Sequence, residues 1–470
     1  MIMAVVLLSA ISSCSTTEHS GALKMEPDYT NIAIPCNIAP LNFKIGGAGK
    51  IAVTIEGTST YTFKGHNGQL RFPLKEWKKM LEAEKGRKVS ISVKSSSGVI
   101  GPFFWDIRPE TIDRYMSYRL IEPAYEVWNK LTIVERDITC FEERLMGDNN
   151  ITENACMNCH VSNRAETPAN FMHVRGKGGG TIYTHGDKLL KINTSTDSTS
   201  VAVYGEIDSR GRYGVFTTAN IVPILHSAPN GRMEVYDKES DLIIIDFENL
   251  TVTSSPLVRG EATQETFPCF SADGKTIYFA RAEHLEQPRE TMQMHYNLYA
   301  IDFDHESGTF GNNLRLVWDA ASQGLSVSFP RCSPDGKYLV MSVSNYGTFP
   351  IWHRETDLAL LNIESGEVSL MEETNAPGSD TYHCWSGNSA WLCFASKRDD
   401  GMFGRPYISF MGENGGTKPF VLPQKDPDHY EMMTKSFNIP ELYDRSEKYN
   451  SKDIAKIYKN INTIKLTYKK

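Results

Sequence analysis

The feature that most constrains the fold is a turn-and-strand unit repeated through the second half of the chain. Three stretches, FPCFSADGKTIYFARA (267–282), FPRCSPDGKYLVMSVS (329–344) and YHCWSGNSAWLCFASK (382–397), align on Ser271, Ser333 and Ser386. Each sets Ser–x–(Asp/Asn)–(Gly/Ser), a tight-turn composition, before a strand of alternating apolar residues. A degenerate copy, EIDSRGRYGVFTTA, places Ser209 one unit earlier. Each unit continues into a second strand that ends in a glycine-containing turn: YNLYAIDFDHESG, TDLALLNIESG and RPYISFMGENGG. A sheet this small cannot bury both faces alone. Copies stacked around an axis can, which predicts an all-β chain dominated by a β-propeller.

These residues resemble the WD40-like (PD40) repeats of TolB-type β-propellers, whose signature is roughly P-x-F-S-P-D-G-K followed by a strand. Ser333–Lys337 matches it best, and the copies at 209 and 386 depart from it. The resemblance covers about residues 171–440 and implies six blades, with five or seven left open by the two divergent copies, and the propeller is expected over 171–470. The order of N-terminal leader, small β domain, C-x-x-C-H and propeller also looks like a group of exported TolB-like lipoproteins.

The leader is MIMAVVLLSAISSC. Its apolar run is too short to span a bilayer and ends in small residues before Cys14. Residues 1–14 are therefore expected to be a lipoprotein signal peptide, with Cys14 acylated and 15–28 a tether. That would place the protein on the periplasmic face of the outer membrane or at the cell surface, with membrane lipid as one partner. A net charge of −8 without a basic block argues against nucleic acid. Residues 29–107 carry short β-branched runs and one helical insert, PLKEWKKMLEAEKG, and suggest an immunoglobulin-like sandwich. Residues 108–153, rich in Tyr, Arg and Glu, are expected to be a surface connector.

Between them lies NACMNCHVSNRAETPANFMHVRGKGGGTIY (154–183). Nine Cys and twelve His in 470 residues would produce C-x-x-C-H by chance roughly 0.004 times. The motif is that of covalent haem c: Cys156 and Cys159 would form the thioethers and His160 the proximal iron ligand. Segment 154–180 is accordingly expected to hold one haem, with His173 or Met172 as sixth ligand and Arg175 paired with a propionate. Three alternatives remain: a redox pair, a zinc site completed by His173 and His185, and a structural disulfide. Cys36, Cys140, Cys269, Cys332, Cys384 and Cys393 are too sparse for a disulfide scaffold.

Two loops, SVSNYGTFPIWHRETDL (342–358) and SKRDDGMFGRPYI (396–408), mix aromatic and charged residues, the composition of a binding surface. Tyr346, Trp352, His353, Arg398 and Arg405 are the candidates for partner contact. No catalytic motif emerges, and GKGGG (176–180) lacks the G-K-[ST] ending of a phosphate loop. The leading expectation is a lipid-anchored propeller with one c-type haem, used for electron transfer with a redox partner or for redox-linked binding. A protein- or glycan-binding propeller with a structural C-x-x-C-H is the alternative, and a propeller enzyme the third.

Overall fold

The computed structural model describes residues 23–122, 130–163, 168–176, 178–225, 233–413, 415–460 and 462–469, without the side chains of residues 158, 159 and 225. Cys14 and its leader lie outside the described residues.

Six sheets form the larger part of the molecule. Their inner strands are Met157–Ser162 (blade 2), Ala202–Ile207 (blade 3), Thr263–Phe270 (blade 4), Ser326–Cys332 (blade 5), Asp380–Trp385 (blade 6) and Ser436–Tyr443 (blade 1). Each packs against the next and the last against the first, which closes a ring around a channel. Blade 1 is split in sequence. Its inner strand pairs antiparallel with Tyr115–Ile121, which continues to Thr132–Asp137 and Glu143–Asp148. The ring is thus locked by strands that come from opposite ends of the propeller sequence.

The expected connector therefore supplies three strands of blade 1, and the propeller starts well before residue 171. The polarity of 108–153 is misleading because its charges are buried in pairs. Arg136, 1% exposed, donates to Gln424 Oε1 (2.7 Å) and to the Pro423 carbonyl (2.6 Å). Glu135 accepts from Arg144, Tyr443 and Ser446.

The repeated turn does what its composition predicts. Ser271 Oγ donates to Asp273 (2.7 Å) and accepts from the Thr276 amide (3.0 Å), and Gly274 takes φ +69°. Ser333 and Ser386 make the same bonds in blades 5 and 6. In blade 3 the position belongs to Asp208, whose carboxylate accepts from the Tyr213 amide (2.9 Å), and not to Ser209. In blade 2 it belongs to Asn163, which accepts from the Ala169 amide (2.7 Å). A carbonyl or carboxylate oxygen replaces the hydroxyl, and the turn survives.

The N-terminal unit pairs Ile51–Glu56, Thr60–Gly65, Arg87–Ser95, Gly98–Arg108 and Ile32–Pro35 in one sheet, the last strand parallel to its neighbour. The opposing layer is three short strands together with the helix Leu74–Ala83, which buries Trp77, Met80 and Leu81. This pairing of a five-stranded with a three-stranded sheet and a helix does not by itself show the expected immunoglobulin-like sandwich. One apolar cluster runs from this unit into blades 5, 6 and 1, joining Trp77 and Trp105 to Trp391, Phe394 and Tyr118. At the C-terminus, Ser451–Tyr458 forms a helix with a capping box of Asn450 and Asp453. Ile464–Lys465 and Thr467–Tyr468 then add parallel edges to blades 2 and 3.

Candidate ligand site at the channel mouth

Counting back from each turn residue places equivalent positions of the inner strands in register. Four residues before it stand Cys159, Tyr204, Phe267, Phe329, Tyr382 and Ile439 in blades 2, 3, 4, 5, 6 and 1. The rings of this level form a collar: Phe267 stacks on Phe329 at 3.8 Å, Tyr204 lies 4.7 Å from Phe267, and Tyr382 meets Phe329 edge-on at 4.9 Å. Phe267, Phe329, Tyr382 and Ile439 adopt positive φ, at a β-bulge interrupting each of their strands. Blade 2 carries a bulge between Asn158 and Val161, so the backbone of residue 159 is part of the same feature.

The next position holds His160, Gly205, Pro268, Pro330, His383 and Pro440. The one after holds Val161, Glu206, Cys269, Arg331, Cys384 and Glu441. There the channel becomes polar. The Arg331 guanidinium lies 3.5 Å from Glu206 and 3.2 Å from Glu441, bridging blades 3, 5 and 1. Those carboxylates hold the guanidinium pKa above its ordinary value although burial works against them. Glu206 also accepts from the Phe270 amide (2.7 Å).

Above this triad, at the end bearing the turns, opens a cavity of about 400 Å³ to which every blade contributes. Asp113, Glu206, Glu441 and Asp444 face Arg331 and Arg445 there, with Trp385 and Phe270 in the walls. Asp113 arrives from the segment that joins the N-terminal unit to the propeller and accepts from the Gly387 amide (2.9 Å). None of these residues stood out in the sequence. The available signal was the residue two before each turn serine, which is Arg in FPRCS and Cys in FPCFS and YHCWS.

The opposite mouth carries the longer loops and is covered. The hairpin of blade 3 (Tyr213–Leu225 and Met233–Asp246) extends over it, packing Met233 and Val235 with Tyr204, Phe267 and Phe349. Glu234 meets His353 Nε2 of blade 5 at 3.2 Å, while Glu355 lies 3.3 Å from Nδ1. The two carboxylates outweigh burial and raise the imidazole pKa to about 9. Tyr346 lies edge-on to that imidazole (4.6 Å), and the Lys397 ammonium sits over Trp352 (4.9 Å). Arg398 pairs with buried Asp380 (2.9 Å), and Arg405 pairs with Asp399 (3.2 Å) and Asp400 (3.0 Å). The five candidates for partner contact thus share a face, but the His353 imidazole and the Arg398 and Arg405 guanidinium groups are engaged internally.

The expected haem residues fall on adjacent strands of blade 2. Residue 158 pairs with His173, and the Arg175 amide donates to the Cys156 carbonyl (2.9 Å). The side chain of Cys159 lies outside the described residues, and those of Cys156, His160 and His173 have different surroundings. Cys156 is half-buried against a cluster containing Met157, Met172 and Tyr458, in which Met172 is 1% exposed. His160 is 1% exposed, and among the described residues neither ring nitrogen has a partner at full hydrogen-bond geometry, the Ser117 backbone being the polar group facing it. Burial and the Arg119 guanidinium hold its pKa down at about 3, with the Ser117 backbone a partial offset. The cavity beside it measures about 30 Å³. Cofactor pockets run to roughly 300–1,000 Å³, about ten times the space described beside His160 or more. His173 opens on a different cavity, with Nδ1 3.3 Å from Thr181 Oγ1. Among the described residues no three His, Cys, Asp or Glu side chains are grouped to hold a metal. Cys384 and Cys393 are free thiols facing each other across paired strands.

No family model matches the chain, and no curated protein matches it. Solved structures to which it is similar include TolB from Agrobacterium tumefaciens, at 11% identity and TM-score 0.41, covering 67% of this chain and 89% of that one. A chain of the nidogen/laminin complex matches at 7% identity and TM-score 0.41, over 69% of this chain and 97% of that one. An apocarotenoid oxygenase from Synechocystis matches at 11% identity and TM-score 0.41, over 86% and 94%. Likeness at this level says nothing of activity, and the propeller rests on the strand pairing described above.

Proposed function

We propose that this chain is an exported, lipid-anchored binding propeller whose turn-side mouth receives a cation-bearing peptide segment of a partner protein. The observation that carries the proposal is the mouth itself: a cavity of about 400 Å³ shared by all six blades, lined by four carboxylates and two guanidinium groups. Its lining is net negative, so a lysine side chain or an amino terminus gains by entering, while the collar below limits how far a chain can penetrate. Arg331, already held by two carboxylates, serves to keep Glu206 and Glu441 in place. Anchoring through Cys14 would keep the mouth near the membrane, within reach of other exported proteins.

Calorimetric titration with an N-acetylated lysine-bearing tetrapeptide amide and its N-acetylated glutamate counterpart tests this. The lysine peptide should bind, more weakly as salt rises, and lose about fivefold or more in Glu206→Gln or Asp444→Asn. Equal binding of the acidic peptide, or indifference to both substitutions, would overturn the proposal.

A further inference from the structure

A second cavity, of about 570 Å³, lies on the loop side between blades 2 and 3, away from the turn-side mouth. Its lining differs in kind. Arg175 and Lys465 are the charged residues in it, and no carboxylate lines it among the described residues. Both cations are exposed. The buried Asp237 carboxylate lies within Coulombic range of Arg175 without lining the cleft. Arg331, Arg398 and Arg405, by contrast, are each spent on carboxylates they contact directly.

Local backbone geometry explains why the cleft exists. The chain leaves the strand Ala169–Val174 and turns through Gly176, at φ +91°. At Gly179 a Cβ would come within 2.4 Å of the Val174 carbonyl oxygen. A side chain at Gly179 cannot be accommodated without moving the strand end. The C-terminal tail supplies the other cation: Ile464–Lys465 docks parallel on the edge of blade 2, with Lys465 opposite Asn193.

The remaining polar lining is neutral: Asn220 is exposed, Thr463 adds a hydroxyl, and Asn193, whose carbonyl oxygen accepts from Ser195, keeps its amide hydrogens, while Thr194 is buried and accepts from the Ala202 amide. In a chain of net charge −8, an open cleft carrying only positive charge concentrates anions. We infer that this cleft binds a sugar acid: Arg175 and Lys465 take the carboxylate, and the amide and hydroxyl groups take the ring hydroxyls. The volume is ample for one or two such rings, within the usual range of small-ligand sites.

The test is calorimetric titration of the full-length protein with sodium D-glucuronate, with D-glucose and inorganic phosphate as comparison ligands. Glucuronate should bind saturably at one site. Arg175→Gln and Lys465→Gln should each weaken it about tenfold, because each removes one charge-assisted contact. Both positions are exposed, so the variants should fold, and Lys64→Gln on the N-terminal unit should bind like the wild type. Absence of saturable glucuronate binding would overturn the inference, as would binding undiminished in both variants. Glucose binding as tightly as glucuronate would do the same, and phosphate binding as tightly would overturn the sugar assignment.

Discussion

The inner strands of blades 2 and 4 take the same steps with unlike residues. In blade 4 the collar residue is Phe267, followed by Pro268, Cys269 and, two residues on, the turn residue Ser271. In blade 2 the same places hold Cys159, His160, Val161 and Asn163. Both strands break at a bulge before the turn, and both turns are closed by a side-chain oxygen accepting from the first amide of the next strand. A cysteine–histidine pair and a phenylalanine–proline pair thus perform one backbone task. The comparison changes what C-x-x-C-H means in this chain. The second cysteine and the histidine occupy repeat positions, and His383 shows that another blade also places a histidine there.

The comparison breaks most completely if blade 2 carries a cofactor that blade 4 cannot. Protein produced in a strain with haem-c maturation machinery should give no pyridine haemochrome signal, and Cys156→Ser with Cys159→Ser should have no such absorbance to lose. A stoichiometric haemochrome would show that the blade opens to accept the macrocycle.

The next largest effect belongs to the position after the histidine or proline. Val161 fills it in blade 2 without charge, whereas Arg331 in blade 5 holds two carboxylates together across the channel. Arg331→Met should cost about 3 kcal/mol at pH 7 by urea denaturation, because removing it leaves Glu206 and Glu441 uncompensated in a largely buried site. Val161→Met, a change within the apolar wall, should cost about half as much or less. A loss under about 1 kcal/mol for the arginine variant would mean that water already solvates the triad.

A smaller effect tests the turn. Asn163→Ala should lose about 1–2 kcal/mol, since the Ala169 amide is left without its acceptor in a buried turn. Asn163→Ser should recover most of that, since serine closes the turns of blades 4, 5 and 6. If serine does no better than alanine, the positions are not equivalent.

The turn also explains how far the fold was legible. Ser271, Ser333 and Ser386 are recognisable because each turn joins a serine to a following Asp or Asn and to a residue at positive φ, Gly274, Gly336 or Ser389. Blade 3 was found one residue out of place, since Asp208 rather than Ser209 supplies the oxygen. Blade 2 escaped because Asn163 closes a turn without the Asp-Gly pair, and because C-x-x-C-H drew the same residues into another explanation. Blade 1 could not be found by scanning for a local repeat, since Ser436–Tyr443 and Tyr115–Ile121 meet only in three dimensions. The turn-side mouth was hidden for a related reason. Asp113, Glu206, Arg331 and Glu441 are far apart along the chain and converge only once the ring closes.

The last and smallest effect concerns the imidazole itself. His160 is buried with no well-formed hydrogen bond to either ring nitrogen among the described residues, whereas Pro268 occupies the same place in blade 4 with no polar side chain at all. His160→Leu keeps the volume nearly constant and removes the buried polar group, so it should be neutral or stabilising by up to about 1 kcal/mol. Acid titration adds a signature that packing alone would not produce. The folded-state pKa of His160 is lowered to about 3, so below its ordinary value near 6.5 the unfolded chain takes up a proton that the folded chain refuses. Its contribution to stability is therefore lost as pH falls from about 6.5 towards 3, and His160→Leu should flatten that decline. His353 has the opposite sign. Its folded-state pKa is raised to about 9, so its contribution is full below about 6.5 and disappears as pH rises through 9, a slope that His353→Gln should remove. Melting temperatures of the two variants across pH 4–10 should therefore depart from the wild type at opposite ends of the range. If His160→Leu is strongly destabilising and leaves the acid limb unchanged, the imidazole holds a partner and blade 2 is not a plain copy of blade 4.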